Sequence, residues 1–297
     1  MISLATPILL VALGAVISER SGVLNIGTEG MMLSGAFGAM AISVEAGNGW
    51  IGVLGGLATG ATCGLVLAVW SVTFIANQII VGIVINLVAL GATTFLFEHY
   101  FPQTGGAVLR TPGIGNWSVP LLDRLPHVGV IFVQSPLVWI AFLLVPVIGF
   151  VLFRTPAGLV VRAVGEGARA ADTAGINVRL VRYIATVIGG ALAGLGGSYL
   201  SLVEARAFQP DMTGGRGFIA LAVVMLGRWR ASGAVAAALL FGAADALQFR
   251  AQGVLGSIPP LTWTLLPYVL TLIVLVGLVG KLSPPAEDGR SYVKEEL

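Results

Sequence analysis

Charge is scarce in this sequence: Lys and Arg number 16 and Asp and Glu 14, so charged residues are 10% of 297 while hydrophobic ones are 57%. A soluble domain carries roughly 25% charged residues, so a water-soluble protein is excluded. Chemistry-bearing residues are scarce too. The one cysteine, Cys63, cannot close an internal disulfide and sits in an apolar segment, where it reads as a small packing residue. His99 and His127, with that single distant cysteine, give no metal-ligand set. No Ser, His and carboxylate arrangement points to nucleophilic catalysis. The phosphate-cradling pattern of Gly, four residues, Gly-Lys and then Ser or Thr is also missing: Gly280-Lys281 is followed by Leu282, and Leu275 stands where the first glycine would be. The chain has no ATP-hydrolysing loop of this kind and does not read as an enzyme. A net charge of +2 gives no support for nucleic-acid binding. The start, Met1-Ile-Ser-Leu-Ala-Thr-Pro7, has no basic stretch before its apolar run, so no cleaved signal peptide is expected.

What is present is length of apolar run. Mean hydropathy is +0.95, and stretches of 18 or more apolar residues, each enough to cross a hydrocarbon core about 30 Å thick, recur along the chain. They do not alternate polar and apolar, which excludes a barrel. The expectation is an all-α polytopic membrane protein with about eight to ten transmembrane helices. Segments are expected at about 3 to 18, 22 to 45, 50 to 74, 76 to 98, 137 to 153, 183 to 203, 216 to 227, 232 to 249 and 263 to 280, the short 216 to 227 piece being spanning or re-entrant. Residues 1 to 282 make the membrane domain and 283 to 297 a short polar tail, read as a disordered end.

Basic residues set the orientation. Arg154, Arg162, Arg169, Arg179 and Arg182 cluster after the fifth segment, where the positive-inside rule makes residues 155 to 182 a cytoplasmic loop. Arg20, Arg228, Arg230 and the tail with Lys281, Arg290 and Lys294 then fall on the same side, with the C-terminus inside and the N-terminus outside. The Pro- and Gly-rich stretch from 100 to 136 becomes an extracytoplasmic loop. Glycine is abundant, at 41 residues, and Gly52, Gly56, Gly60 and Gly64 form a four-residue ladder for close helix packing, within the chain or against another subunit.

Polar residues inside spans are costly and so are functional candidates. On the fourth segment Gln78, Gly82, Asn86, Ala89 and Thr93 share one arc, opposite Ile79, Ile83, Val84, Leu87, Val88 and Leu90. The stripe, with the adjoining Asn77, either lines a solute path or glues helices together. Asn25, Thr28 and Glu29 open the second segment, and as a helix Asn25, Glu29, Met32, Ala36 and Ser43 would share a face. Gly22, Gly27 and Gly30 permit a broken start, tolerated only where backbone lines a cavity or is buried in protein. Glu29 then either belongs to the path or pairs with Arg20 or another helix. In the cytoplasmic loop, Gly165 to Gly175 reads as a short alanine-rich helix ended by Gly175. With no apolar face to bury in its own fold, its small surface bearing Glu166, Arg169, Asp172 and Thr173 suits a groove on another protein.

These residues also resemble a known family. Glu19-Arg-Ser-Gly-Val-Leu-Asn-Ile-Gly-Thr-Glu-Gly-Met-Met-Leu33, Ala76-Asn-Gln-Ile-Ile80, Arg162-Ala-Val-Gly-Glu166, Ala170-Ala-Asp-Thr-Ala-Gly-Ile-Asn-Val178, Gly215-Arg-Gly-Phe-Ile-Ala-Leu-Ala222, Gly227-Arg-Trp229 and Leu266-Pro-Tyr-Val-Leu-Thr-Leu272 are similar, in order, to motifs of the permease subunits of ribose, branched-chain amino acid and nucleoside ABC importers. The nucleoside branch, served by basic-membrane-lipoprotein-type binding proteins, is the nearest. The resemblance implies that the helix within Glu166 to Gly175 docks on a separate ABC ATPase subunit, which binds ATP and Mg, while this chain needs no cofactor. It further implies a second homologous permease as heterodimer partner, an extracytoplasmic solute-binding lipoprotein, alternating access in the bacterial plasma membrane, and a small polar solute. A nucleoside ranks first, a simple sugar second and a branched-chain amino acid third. Where family members often have Asn-Pro after Gly-Glu, this chain has Gly167-Ala168. The rival class is an ion-coupled secondary transporter, for which Glu29 and Asp245 are the deep acidic candidates.

Overall fold

The computed structural model describes residues 1–101, 110–118, 133–254 and 283–293, with Trp263, Leu265, Val269 and Ile273 as single positions. The expected segment at 263 to 280 as a whole, Lys281, Lys294 and much of the 100 to 136 stretch lie outside the described residues. Ten α-helices account for most of the rest: α1 (Ile2–Arg20), α2 (Thr28–Ala46), α3 (Gly49–Ala68), α4 (Gln78–Tyr100), α5 (Pro136–Arg154), α6 (Pro156–Glu166), α7 (Ala168–Thr173), α8 (Val178–Tyr199), α9 (Arg216–Leu226) and α10 (Ala231–Val254). Single π-helical turns extend α3 over Val69–Thr73 and α8 over Leu200–Glu204. A two-residue antiparallel pairing joins Trp117–Ser118 to Val133–Gln134.

Six of these helices are long and apolar enough to cross a membrane: α1, α3 with its π turn, α4, α5, α8 with its π turn, and α10. The protein is a multi-pass all-α membrane protein. Among the described residues the expected boundaries agree to within five residues, the widest of these gaps being the start of α8 at Val178 and the end of α10 at Val254, except at the second segment, where helix begins at Thr28 instead of about 22. Helix α2 falls outside the six because it carries Thr28, Glu29, Ser34, Ser43 and Glu45, and its place in the bundle explains how it can. It packs against α3, α4, α8 and α9, so most of it meets protein and little of it meets lipid.

The main hydrophobic core is built around α1, whose Ile8 to Leu13 are fully buried, and beside it α3 and α8 meet in a close seam. A side chain added at Gly64 would meet the Thr186 carbonyl oxygen, one at Gly60 the backbone of Gly190 and Gly194, and one at Gly194 the backbone of Gly56 and Gly60. The four-residue ladder is therefore an intramolecular packing face, as small residues must be where two backbones touch without a hydrophobic drive to hold them. α1 packs on α8 at Gly189 and Gly196, and α2 packs on it at Gly194 and Gly197.

One end of the bundle gathers most of the described basic residues, while Arg110, Arg206 and Arg216 lie together elsewhere. Arg20 Nε donates to the Trp229 carbonyl at 2.9 Å, Arg20 faces Glu166 at 3.8 Å, and the Trp229 indole donates to Glu19 at 2.5 Å. The tail arrives at the same end, where Glu287 N–H donates to the Gly165 carbonyl at 2.9 Å. Residues 154 to 182, Arg228, Arg230 and 285 to 293 thus share one face, as their charge predicts. The expectation of a disordered tail is corrected for these residues: Tyr292 is buried against Val164, Ala168, Ala171 and Val178.

Candidate functional site

Two breaks in the helical pattern meet inside the bundle. After α1, residues 21 to 27 turn back alongside α4 without forming helix, and they are largely buried. Leu24 N–H donates to Gln78 Oε1 at 2.7 Å at the start of α4. Two turns on, about 12 Å along α4 at 1.5 Å per residue, Asn86 holds the same stretch from both sides. Its Oδ1 accepts from Gly30 N–H at 2.7 Å and its Nδ2 donates to the Ile26 carbonyl at 3.0 Å. Backbone left unpaired by a broken helix must find partners in a bilayer, and Asn86 supplies them.

The second break is α9, a helix of 11 residues entered from the irregular stretch 205 to 215. Glu29, in the first turn of α2, caps it: its two carboxylate oxygens accept from Gly215 N–H at 2.9 Å and Gly217 N–H at 2.6 Å. Thr28 Oγ1 donates to the Gly217 carbonyl at 3.1 Å. A carboxylate at a helix N-terminus satisfies orphan amides and opposes the helix dipole. Only glycine fits at 217, since a Cβ there would lie 2.5 Å from Glu29 Cα. Asn25 is fully buried beside this junction, its Oδ1 without a hydrogen-bond partner.

Of the seven residues expected near a solute path, the structure brings together Asn25, Thr28, Glu29 and Asn86. The other three lie apart. Asn77 caps the start of α4 through Ile79 N–H at 2.9 Å. Gln78 ties Leu24 to the tail, donating to the Arg290 carbonyl at 3.4 Å. Thr93 donates to the Ala89 carbonyl of its own helix at 2.7 Å. The stripe itself is real, because Gln78, Gly82, Ala89 and Thr93 are buried while Ile79, Ile83, Val84, Leu87, Val88 and Leu90 are exposed. One reading of the second segment is corrected: Asn25 precedes the helix and so shares no helical face with Glu29. Of the partners expected for Glu29, Arg20 or another helix, the structure gives the other helix, through the α9 backbone.

At the basic end the short helix falls where expected, α7 running from Ala168 to Thr173 with Gly167 before it and Gly175 in a left-handed turn at φ 85° after it. The expectation that it buries no face of its own is corrected, since Ala168 and Ala171 pack under Tyr292. Glu166, Arg169, Thr173 and Gly175 are exposed and Asp172 half-buried. Thr173 donates to the Ala170 carbonyl at 2.9 Å, and the Tyr292 hydroxyl bonds to Asp172. Burial first, and then the Asp172 carboxylate, pushes that hydroxyl above its ordinary pKa. The tail is anchored by Arg182, which donates to the Arg290 carbonyl at 2.9 Å and faces Glu287 at 3.9 Å. Asp288 is pushed up from 3.8 to about 7 by burial, against the opposing pull of the Gly289 amide and Arg182.

The sequence reasoning missed three parts of this arrangement: the amides of Gly215 and Gly217, the Arg182 anchor, and Tyr292. Two of them left a faint mark. Gly215-Arg-Gly217 opens an apolar run, and Tyr292 is the one aromatic residue after position 283.

Comparison with known proteins follows the same lines. Residues 1–275 match the family model described as branched-chain amino acid transport system / permease component. The chain is 37% identical to the guanosine ABC transporter permease protein NupQ of Bacillus subtilis, over 98% of this chain and 94% of that one. It is 42% identical to the putative glucose ABC transporter permease protein TsgC13 of Haloferax volcanii, over 91% and 82%. It is 35% identical to the nucleoside ABC transporter permease protein NupC of Lactococcus lactis, over 100% and 96%. No solved structure matches.

Proposed function

Because the chain belongs to the branched-chain amino acid transport system / permease component family, and is the permease subunit of an ABC transporter and not itself an enzyme, we propose that it moves a nucleoside inward by alternating access. Such a permease works with an ATPase and a substrate-binding partner. In this proposal the basic end is cytoplasmic, the ATPase binds ATP and Mg, a binding lipoprotein delivers the solute on the opposite face, and a second homologous permease chain completes the path. Helix α7, with Glu166, Arg169, Asp172, Thr173 and Gly175, is the docking element.

The observation that carries this reading is the socket behind α7. Its outer side is open, while its inner side rests on Tyr292 and Val178 and its neighbour Glu166 faces Arg20 of α1. A push on α7 is thereby handed to α8, α1 and the tail, and through Trp229 and Glu19 to the end of α9. The other end of α9 is the junction capped by Glu29. Rocking α9 against α2 would open and close space beside Asn25, Thr28, Glu29 and Asn86, which we place on the solute path. The bias comes from tighter binding of ATP to one ATPase arrangement than to the other.

Two relatives named for nucleoside or guanosine transport support the nucleoside reading. The 42% identity to a putative glucose permease favours a second one, a simple sugar. Assembling the complex with its binding protein and measuring which compounds that protein holds separates the two. Coupling is tested by Arg169→Glu. Uptake and substrate-stimulated ATP hydrolysis are expected to be lost while the complex stays assembled; normal uptake in that variant rejects the docking role.

A further inference from the structure

At the basic end, the last three turns of α5 and the start of α10 stand apart and leave a cleft of about 600 Å³. Its wall is made by Val145, Pro146, Gly149, Phe150 and Phe153, and its rim by Arg154 and Arg230. The cleft runs about 13 Å along α5 from Val145 to Arg154 at 1.5 Å per residue, so an apolar trough leads into the span from a cationic mouth. It exists because two small residues face each other: a Cβ on Gly149 would meet nothing closer than Ala231 Cβ at 3.9 Å.

The charge at the mouth is unbalanced. Arg154 and Arg230 are exposed and make no ion pair among the described residues. Arg20 and Arg162 lie over the Phe153 ring, at 5.5 and 5.3 Å from its centroid, and the buried Arg162 Nε has no hydrogen-bond partner. Among the described residues, carboxylates of this end are engaged elsewhere: Glu166 faces Arg20, Glu19 accepts from Trp229 and Glu287 faces Arg182.

We propose that this cleft holds an anionic glycerophospholipid, its phosphate between Arg154 and Arg230 and one acyl chain laid along Val145, Gly149 and Phe150. Basic recesses between spanning helices attract anionic headgroups. A free phosphate ion would satisfy the rim but leave the apolar trough empty, whereas a lipid meets both. The site is distinct from the α7 socket and from the α2–α9 junction, so it stands whether or not the nucleoside reading holds.

The test is lipid retention by native mass spectrometry on the assembled transporter in mild detergent, with phosphatidylglycerol, phosphatidylcholine and inorganic phosphate as probes. Phosphatidylglycerol is expected to be held in preference to phosphatidylcholine, and Arg154→Ala with Arg230→Ala to weaken it about thirtyfold, as loss of two lipid-facing arginines implies. Arg250→Ala, which removes a charge near the other end of α10, is expected to leave it unchanged. Gly149→Leu, which fills the trough and spares both arginines, is expected to abolish retention without altering the melting temperature of lipid-free protein. Equal retention of the two lipids, displacement by inorganic phosphate at equal concentration, or full retention in Gly149→Leu would overturn the proposal.

Discussion

The α2–α9 junction and the α7 socket are built from the same materials, a few polar side chains and several glycines, but they spend them in opposite directions. At the junction Glu29, Thr28 and Asn86 turn inward and satisfy backbone that the broken helices leave open. At the socket the inward side is closed by alanines and a tyrosine while Glu166, Thr173 and Gly175 face out. The contrast follows from the solvent each region meets. Inside a bilayer an unpaired amide costs several kcal/mol, so polar groups there are first of all clamps. Outside it water serves every group, and polar side chains are free to meet a partner.

The comparison breaks most sharply at Glu29. Glu29→Leu strips two amides of their acceptor, and since a hydrogen bond to a charged group contributes about 2 kcal/mol, assembly into a stable fold is expected to fail. Glu29→Gln keeps one acceptor and should retain a folded protein with a lowered melting temperature; two variants melting alike would show that the cap does not hold the junction.

At the socket the effect is expected to be smaller and confined to the tail. Tyr292→Ala removes a buried ring worth about 2 kcal/mol of tail docking. C-terminal proteolysis should accelerate while the melting temperature of the membrane bundle stays put. A bundle that melts early would place Tyr292 in the core instead.

A gentler probe is pH. Because burial raises Asp288 from 3.8 to about 7, the docked tail holds its proton more tightly than the free tail does, and docking weakens as pH climbs through that window. Protection of the Glu287 and Arg290 amides, taken relative to the intrinsic exchange rate at each pH, should be greater at about pH 5 than at about pH 8, and Asp288→Asn should flatten the difference. A dependence that survives Asp288→Asn would show that Asp288 is not the titrating group. The smallest effect is expected at Thr93, whose hydroxyl bonds only its own helix among the described residues. Thr93→Val should change stability by less than about 0.5 kcal/mol and leave uptake intact.

Much of this was legible from the residues alone. Hydropathy located the spanning helices, arginine placement sorted loops onto two faces, the glycine ladder announced a close helix contact, and Gly167 and Gly175 bracketed α7. These are local or one-dimensional signals, and each has a single physical cause that acts within a few residues.

Packing alone selects the long-range partner that each polar residue takes. Glu29 meets Gly215 and Gly217 across 186 and 188 positions of chain, and Arg182 meets Arg290 across 108. No periodicity encodes such pairs, because they depend on which helix ends the packed glycines bring together. Residue composition and order suffice to commit this chain to a bilayer and to deny it the phosphate-binding loop that would power it, since burial of apolar surface needs no partner to be specified. Where the helices break and what seals each break was settled by packing, since an open amide in lipid accepts whichever acceptor the fold delivers.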